Sequence, residues 1–310
     1  MSGEHMDDMH AKAAILMEAM PWIKRHWGRT VVIKYGGAAM TDAVLRDHVA
    51  ADIVLMKLVG MNPVIVHGGG PEITSFMERL GLPVEFYDGL RVTSDEAMEV
   101  VKMVLVGKVN KELVSAINCH GRLAVGIAGD DANLIRATQR SERLGRVGDI
   151  TRIDTTVITN LVEDGFVPVI ASVGAGDDGG SFNINADLVA GEIAGALGAE
   201  KVIFLTDVDG LYADFADKSS LISALSLDEA EQMIAEERLA SGMIPKVGAC
   251  ALALRHGVER AHILNGTLPH ALLLEVYTNA GIGTMITGEN ASLGLADDDV
   301  YIAYEGEVTL

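Results

Sequence analysis

Two short apolar runs, Thr30–Tyr35 (TVVIKY) and Asn62–His67 (NPVIVH), each end in consecutive glycines and pass into a helix-like stretch. Runs this short, apolar on both faces, read as strands buried on both sides, which requires a mainly parallel sheet covered by helices. The same grammar recurs downstream. Val147–Ile153 reads as a strand, Thr155–Asp164 as a helix closed by Gly165, and Val167–Val173 and Lys201–Val208 as strands flanking a helix at Leu188–Leu197. The last third adds helices at Leu227–Leu239, Val247–His256 and Pro269–Thr278, with a short strand at His262–Leu264. The predicted class is α/β, a three-layer αβα sandwich with a mainly parallel central sheet.

Several local predictions follow from residue type. A helix from about Thr41 to Val59 takes Thr41 as its cap. Leu82–Thr93 reads as a hairpin around Asp88-Gly89, so the sheet is mixed at its edge. Ser94–Asn118 reads as one helix, and Leu123–Ile135 holds two strands around Gly129-Asp130-Asp131. Residues 1–10 read as a mobile polar tail, and Ala11–Trp27 as a helix interrupted at Pro21. The apolar face of that helix (Ile15, Leu16, Ala19, Met20, Ile23, Trp27) packs on its own domain or swaps onto a neighbouring subunit. Domains divide as tail and kinked helix (1–28), a first lobe (29–205) and a second lobe (206–310), with Asp207–Lys218 as the boundary in one continuous sheet.

A net charge of −20, from 44 acidic against 24 basic residues, argues against a nucleic-acid partner. The one basic cluster, Lys24, Arg25, His26 and Arg29, is too short to reverse that. A phosphate ligand would therefore be held by a few placed lysines and backbone amides. The two cysteines, Cys119 and Cys250, lack metal or redox spacing and read as small buried hydrophobes in a reducing, cytoplasmic setting. No signal peptide and no membrane span is visible.

Some motifs fail on inspection. Gly174–Gly179 fits the dinucleotide fingerprint, but Asp177 and Asp178 would face a pyrophosphate, so a glycine-rich loop is the better reading. His67–Gly70 matches the oxyanion motif of esterases without any G-x-S-x-G nucleophile elbow. Asp207–Gly210 carries part of a calcium loop without its other ligands, and no histidine spacing binds metal. What survives is the pair of glycine turns at strand C-termini, where open α/β sheets bind ligands and helix N-termini offer amides to anions. Gly36-Gly37 serves equally as a tight turn. Lys34, inside an apolar strand, must reach a carboxylate, a ligand or solvent. In Ser181–Asp187 (SFNINAD), an extended chain would put Asn183, Asn185 and Asp187 on one face, although Asp187 also stands where a helix cap would. Lys246 begins a helix, where the dipole disfavours a cation, and an ordinary surface lysine is the default.

Taken together, VIKYGGAAM (32–40), VIVHGGGP (64–71), GLRVT (89–93), NINAD (183–187), TDVDGLY (206–212) and SGMIPKV (241–247) resemble, in order, the motifs of acetylglutamate kinases. These belong to the amino acid kinase superfamily, whose carbamate, aspartate, glutamate and uridylate kinases share single motifs. The resemblance spans Val31 to Thr287 and implies the amino acid kinase fold, with phosphoryl transfer from MgATP to the side-chain carboxylate of N-acetyl-L-glutamate. Mg2+ would be held mainly by phosphate oxygens and water, not by a protein metal site. The resemblance also implies residue roles. Lys34 and Lys246 stabilise the transferring group and Asp187 orients both. Gly36, Gly37 and Gly69 donate amides, and Gly69, Gly70, Arg91 and Asn183 hold acetylglutamate. Thr206, Asp207 and Met243 belong to the nucleotide side, with Gly36, Gly37 and Lys246 shared. The extra N-terminal helix and the 265–286 segment resemble arginine-inhibited members. This implies a hexamer (a trimer of dimers) with interlaced helices, and L-arginine bound at Glu275 with Lys201, His270 and Gly281 nearby.

Overall fold

Strands β1 (Thr30–Tyr35) and β2 (Asn62–His67) lie side by side and parallel, Thr30 beside Asn62 and Tyr35 beside His67. The computed structural model describes residues 3–40, 42–239, 242–278 and 281–288. Helix α1 (Gly3–His26) precedes β1, and α2 (Ala43–Leu58) joins β1 to β2. Then come α3 (Gly70–Arg79), the hairpin β3 (Phe86–Tyr87) and β4 (Leu90–Arg91), α4 (Asp95–Lys102) and α5 (Asn110–Asn118). The middle of the chain forms β5 (Ala124–Ala128), β6 (Ile135–Gln139), β7 (Gly148–Ile153), α6 (Thr156–Glu163), β8 (Val167–Ala171), β9 (Val173–Ala175) and β10 (Ser181–Asn183). The rest comprises α7 (Ala186–Leu197), β11 (Lys201–Thr206), β12 (Ala224–Ser226), α8 (Leu227–Ala235), α9 (Ile244–Arg255), β13 (Arg260–Asn265), α10 (Ala271–Val276) and β14 (Thr284–Thr287).

The central sheet has the order β12-β14-β13-β11-β1-β2-β8-β5 and is parallel except where β13 meets β14. A smaller sheet, β10-β9-β6-β7, and the β3-β4 hairpin stand apart from it. Alternation along each central strand sends side chains to two separate cores. Val31, Ile33 and Tyr35 of β1 pack with α2 to α5 and α10, whereas Val32 packs with α6 to α9. Period two therefore puts Lys34 on the Val32 face, under α7. The three layers follow from that division, and the chain reverses direction across the sheet at β1, between β2 and β11, where open α/β folds bind ligands.

The structure corrects several expectations. Helix α1 starts at Gly3, so the stretch read as a mobile tail is helical within the described residues, in keeping with its Ala, Met, Glu and Lys content. It also runs through Pro21 without interruption. A proline in a helix removes one hydrogen bond, and here Trp22 and His26 are buried just beyond it and anchor the last turns. By contrast Ile15, Leu16, Met17 and Met20 are exposed. Asp42 caps α2 by accepting from Val44 and Leu45 N–H, while Thr41 lies outside the described residues. The Ser94–Asn118 helix is broken into α4 and α5 by a π-helical turn at Met103–Val109. The 167–173 run divides at Ser172, β8 joining the central sheet and β9 the smaller one. Cys119 is exposed and only Cys250 is buried. No helix among the described residues is long and apolar enough to cross a membrane.

Candidate active site

The glycine turns after β1 and β2 converge on a cavity of about 300 Å³, lined also by β4, β10 and the start of α7. The SFNINAD strip enters it differently from the extended reading. The strand ends at Asn183, and Asn185 caps α7 by accepting from the N–H of Asp187 (2.8 Å) and Leu188 (3.3 Å). That cap leaves the Asp187 carboxylate free to turn toward the sheet. Its Oδ1 meets Lys34 Nζ at 3.0 Å, and its Oδ2 accepts from Lys246 Nζ at 3.3 Å. Burial pushes this carboxyl up, but the charges and hydrogen bonds of Lys34 and Lys246 together outweigh it and leave it below the usual carboxylate range. One buried anion thus holds two ammonium groups from opposite ends of the chain.

Gly36 is needed for this arrangement. A Cβ there would sit 2.5 Å from Lys34 Nζ, so only glycine lets the lysine fold back across its own turn. A Cβ at Gly69 would approach Leu105 to 2.7 Å, and the π-helical turn carries that leucine to the cavity wall. Gly69 lies in the turn that starts α3, with Gly70 and Pro71 opening the helix toward the cavity.

Arg91 leaves β4 and is buried against the face of Phe86, 4.8 Å from the ring centre. Its Nη2 donates to Gly70 O (3.0 Å) and Thr74 Oγ1 (2.7 Å), which fixes the guanidinium plane and leaves other donors for a ligand. Burial lowers its pKa without discharging it. The fully buried hydroxyl of Thr93 donates to Arg91 O (3.0 Å) and accepts from Asn183 Nδ2 (3.3 Å). Thr93 therefore couples two expected substrate residues. Ser172, at the break between β8 and β9, also lines the cavity. Neither was found from sequence, because their significance depends on who sits beside them.

Of the expected nucleotide residues, Gly36 and Gly37 line the cavity, while Thr206, Asp207, Met243 and Lys246 stand outside its wall, Lys246 being joined to it through Asp187. Thr206 ends β11 and donates to Asp207 (3.1 Å), and the buried Met243 stands just before the first turn of α9, the helix that carries Lys246, without a side-chain capping hydrogen bond. Among the described residues no three His, Cys, Asp or Glu side chains gather as metal ligands.

At the other end of the sheet, Glu275 is buried. It receives His262 Nδ1 at 2.7 Å and the N–H groups of Ile282 (2.7 Å) and Gly283 (3.3 Å), and Gly281 packs against it. Burial pushes Glu275 up, and these partners hold it below its ordinary range. Lys201 is buried nearby, and burial first, then the charges of Arg260 and Arg25, push it down to about 8 against the pull of Glu200 and Glu275. His270 is not joined to this group directly; it bonds Asp52 at 2.6 Å and stacks on His48. His262 and Arg260 were missed from sequence because a strand's first residues carry no sign of which helix covers them.

Comparison with known proteins agrees with this geometry. The model of the amino acid kinase family matches residues 29–265. An acetylglutamate kinase of Caldanaerobacter subterraneus subsp. tengcongensis is 53% identical over 288 residues, covering 92% of this chain and 96% of that protein. The acetylglutamate kinase of Thermosynechococcus vestitus is 52% identical over 282 residues, covering 91% and 96%. Among solved structures, N-acetylglutamate synthase from Neisseria gonorrhoeae, complexed with coenzyme A and N-acetyl-glutamate, superposes with a TM-score of 0.79 at 26% identity. That match covers 89% of this chain and 63% of the synthase, so this chain spans less than two thirds of its length. The same synthase has been solved with coenzyme A and L-arginine. The chain belongs to the amino acid kinase family, in its acetylglutamate kinase branch.

Proposed function

We propose that the protein transfers the γ-phosphoryl group of ATP to the side-chain carboxylate of N-acetyl-L-glutamate in arginine biosynthesis, in the cytoplasm, under feedback inhibition by L-arginine. The observation that carries this is the Asp187 carboxylate holding Lys34 and Lys246 beside a glycine-lined, Arg91-bearing cavity. A carboxylate nucleophile is ionised at neutral pH, so the site needs no general base. What it must supply is alignment of two anions and neutralisation of charge as the phosphoryl group moves. Arg91, held by Gly70 and Thr74, binds the substrate α-carboxylate through its remaining donors, and Asn183, held by Thr93, fixes the rest of the molecule. Lys34 and Lys246 then face the transferring oxygens with their charges already oriented, so little reorganisation is left for the reaction itself. Gly36, Gly37 and Gly69 add backbone amides on the same side. Mg2+, when bound with ATP, would neutralise polyphosphate charge and would be held mainly by phosphate oxygens and water, since no cluster of metal ligands stands among the described residues.

In this reading residues 29–205 carry the acetylglutamate site and 206–310 the nucleotide side, with Thr206, Asp207 and Met243 beneath the nucleotide; residues 289–310 lie outside the described structure. The exposed apolar stripe Ile15, Leu16, Met17 and Met20 on α1 supports exchange of this helix between subunits of a hexamer. Arginine would bind where α1 ends, near Glu275, Lys201 and Gly281. Both Glu275 oxygens already accept hydrogen bonds, so a guanidinium must share or displace them. The test of the activity is hydroxylamine trapping of acyl phosphate with ATP and a panel of acceptors. Turnover of glutamate, aspartate or carbamate but not N-acetylglutamate would overturn the substrate assignment, and no turnover would reduce the protein to a sensor built on this fold.

A further inference from the structure

His67 closes β2 immediately before the glycine triplet and is fully buried, yet no role has been assigned to it. Its Nδ1 lies 2.9 Å from Gly68 O and its Nε2 lies 3.1 Å from Asn110 Nδ2. The neighbours of Asn110 settle the proton positions. Asn110 Nδ2 also lies 2.8 Å from Val169 O and, at the longer distance of 3.4 Å, from Ile127 O, both obligate acceptors, while Asn110 Oδ1 receives Lys111 Nζ at 3.2 Å. An amide nitrogen accepts nothing, so the contact with Nε2 can only be a donation from it. The amide nitrogen is therefore correctly placed, and it donates to His67 Nε2. Nε2 must be bare, so the single proton of the neutral ring is on Nδ1, where it donates to the Gly68 carbonyl. Burial first, and the nearby Lys111 charge, push the ring down to about 4 against the Gly68 hydrogen bond, so it stays neutral.

The consequence lies on the other side of the same peptide. In a trans peptide the C=O and N–H point in opposite directions. A Gly68 carbonyl held toward the buried ring leaves the Gly69 N–H pointing away from it, and among the described residues that N–H has no acceptor. Gly68, Gly69 and Gly70 all line the cavity. The π-helical turn ties this together: Asn110 N–H bonds Leu105 O across five residues, and Leu105 is the side chain that abuts Gly69. One wide helical turn, a geometry common at functional sites, thus supports the glycine turn from both sides.

We propose that His67, locked in its Nδ1–H tautomer by Asn110, is a positioning residue that turns the Gly69 N–H into the cavity, where it stabilises the oxygen charge that grows during phosphoryl transfer. This rests on the phosphotransfer reading above. Three variants test it. In His67→Asn the side-chain amide occupies the place of Nδ1 and can still donate to Gly68, whereas in His67→Gln it occupies the place of Nε2 and cannot. We expect His67→Gln to lose about 10²-fold in kcat, the cost of one misdirected oxyanion donor, with both KM values within about threefold. His67→Asn should recover to within about tenfold of the unaltered protein. Equal losses in both variants, or a rise in KM at constant kcat, would overturn the proposal. Asn110→Asp supplies an independent readout. Its carboxylate demands a proton on Nε2, so loss of the second ring proton strips Nδ1, and kcat should gain an alkaline limb absent from the unaltered protein. A pH profile unchanged in a folded Asn110→Asp protein would equally overturn it. All rates are taken with whichever acceptor the unaltered protein turns over, so failure of the N-acetylglutamate assignment is seen separately, before any variant is made.

Discussion

Replacing Asp187 by asparagine removes one charge and almost no volume, and so tests whether this residue is an electrostatic hub or a helix cap. Two ammonium groups lie at 3.0 and 3.3 Å from its oxygens. At an effective dielectric of about 20, each pair has a gross attraction of about 5 kcal/mol. Most of this is offset by the cost of burying the carboxylate, and breaking such a buried arrangement costs about 3–5 kcal/mol net. Taking the lower figure and an unfolding entropy of about 2.1 cal/mol/K per residue over 310 residues, the melting temperature should fall by about 5 °C. Rate should fall further than stability alone predicts, by about 10²–10³-fold in kcat, because both lysines lose their orienting partner. Asn185→Ala is the matched control: it removes the actual cap of α7 and should cost only about 1 kcal/mol, with little change in kcat. Acyl-phosphate trapping gives the rates and differential scanning calorimetry the stabilities. A kcat within threefold of the unaltered protein, or a stability loss no greater than that of Asn185→Ala, would refute the reasoning.

Lys246→Ala should lose about 10²–10³-fold in kcat in the trapping assay, and a near-normal rate would remove Lys246 from the mechanism. Deletion of residues 1–27 removes the exposed stripe of α1 and should both shrink the oligomer in light scattering and abolish arginine inhibition; unchanged size and inhibition would sink the exchanged-helix arrangement. The pH dependence of stability offers a third check. Asp187 titrates lower in the folded than in the unfolded chain, so its contribution is fully present above the unfolded value of about 3.9 and is lost as pH falls through the folded one. The melting-temperature gap between the unaltered protein and Asp187→Asn should therefore be constant from about pH 5 to 8 and close only in stronger acid. A gap that changes within that window would mean the carboxylate is not held ionised.

The sequence by itself determined the layers and the chemistry on offer. TVVIKY and NPVIVH read as buried strands of a parallel sheet, period two committed Lys34 to one face, and the glycine runs marked the strand ends, where open α/β sheets bind ligands. What it left undecided were matters of who faces whom. Asp187 looked as suited to capping α7 as to pairing with lysine, because both roles need a carboxylate at a helix start; the fold gave the cap to Asn185 and freed Asp187. Lys246 looked like a surface lysine until α9 packed beside α7. Pro21 looked like a break until burial of Trp22 and His26 held the helix together across it. His67, Thr93 and Asn110 act through neighbours 43 to 90 residues away, so no local pattern marks them. Local periodicity is encoded in adjacent residues and can be read along the chain. Pairing of buried polar groups is decided by desolvation, which only the closed tertiary structure imposes.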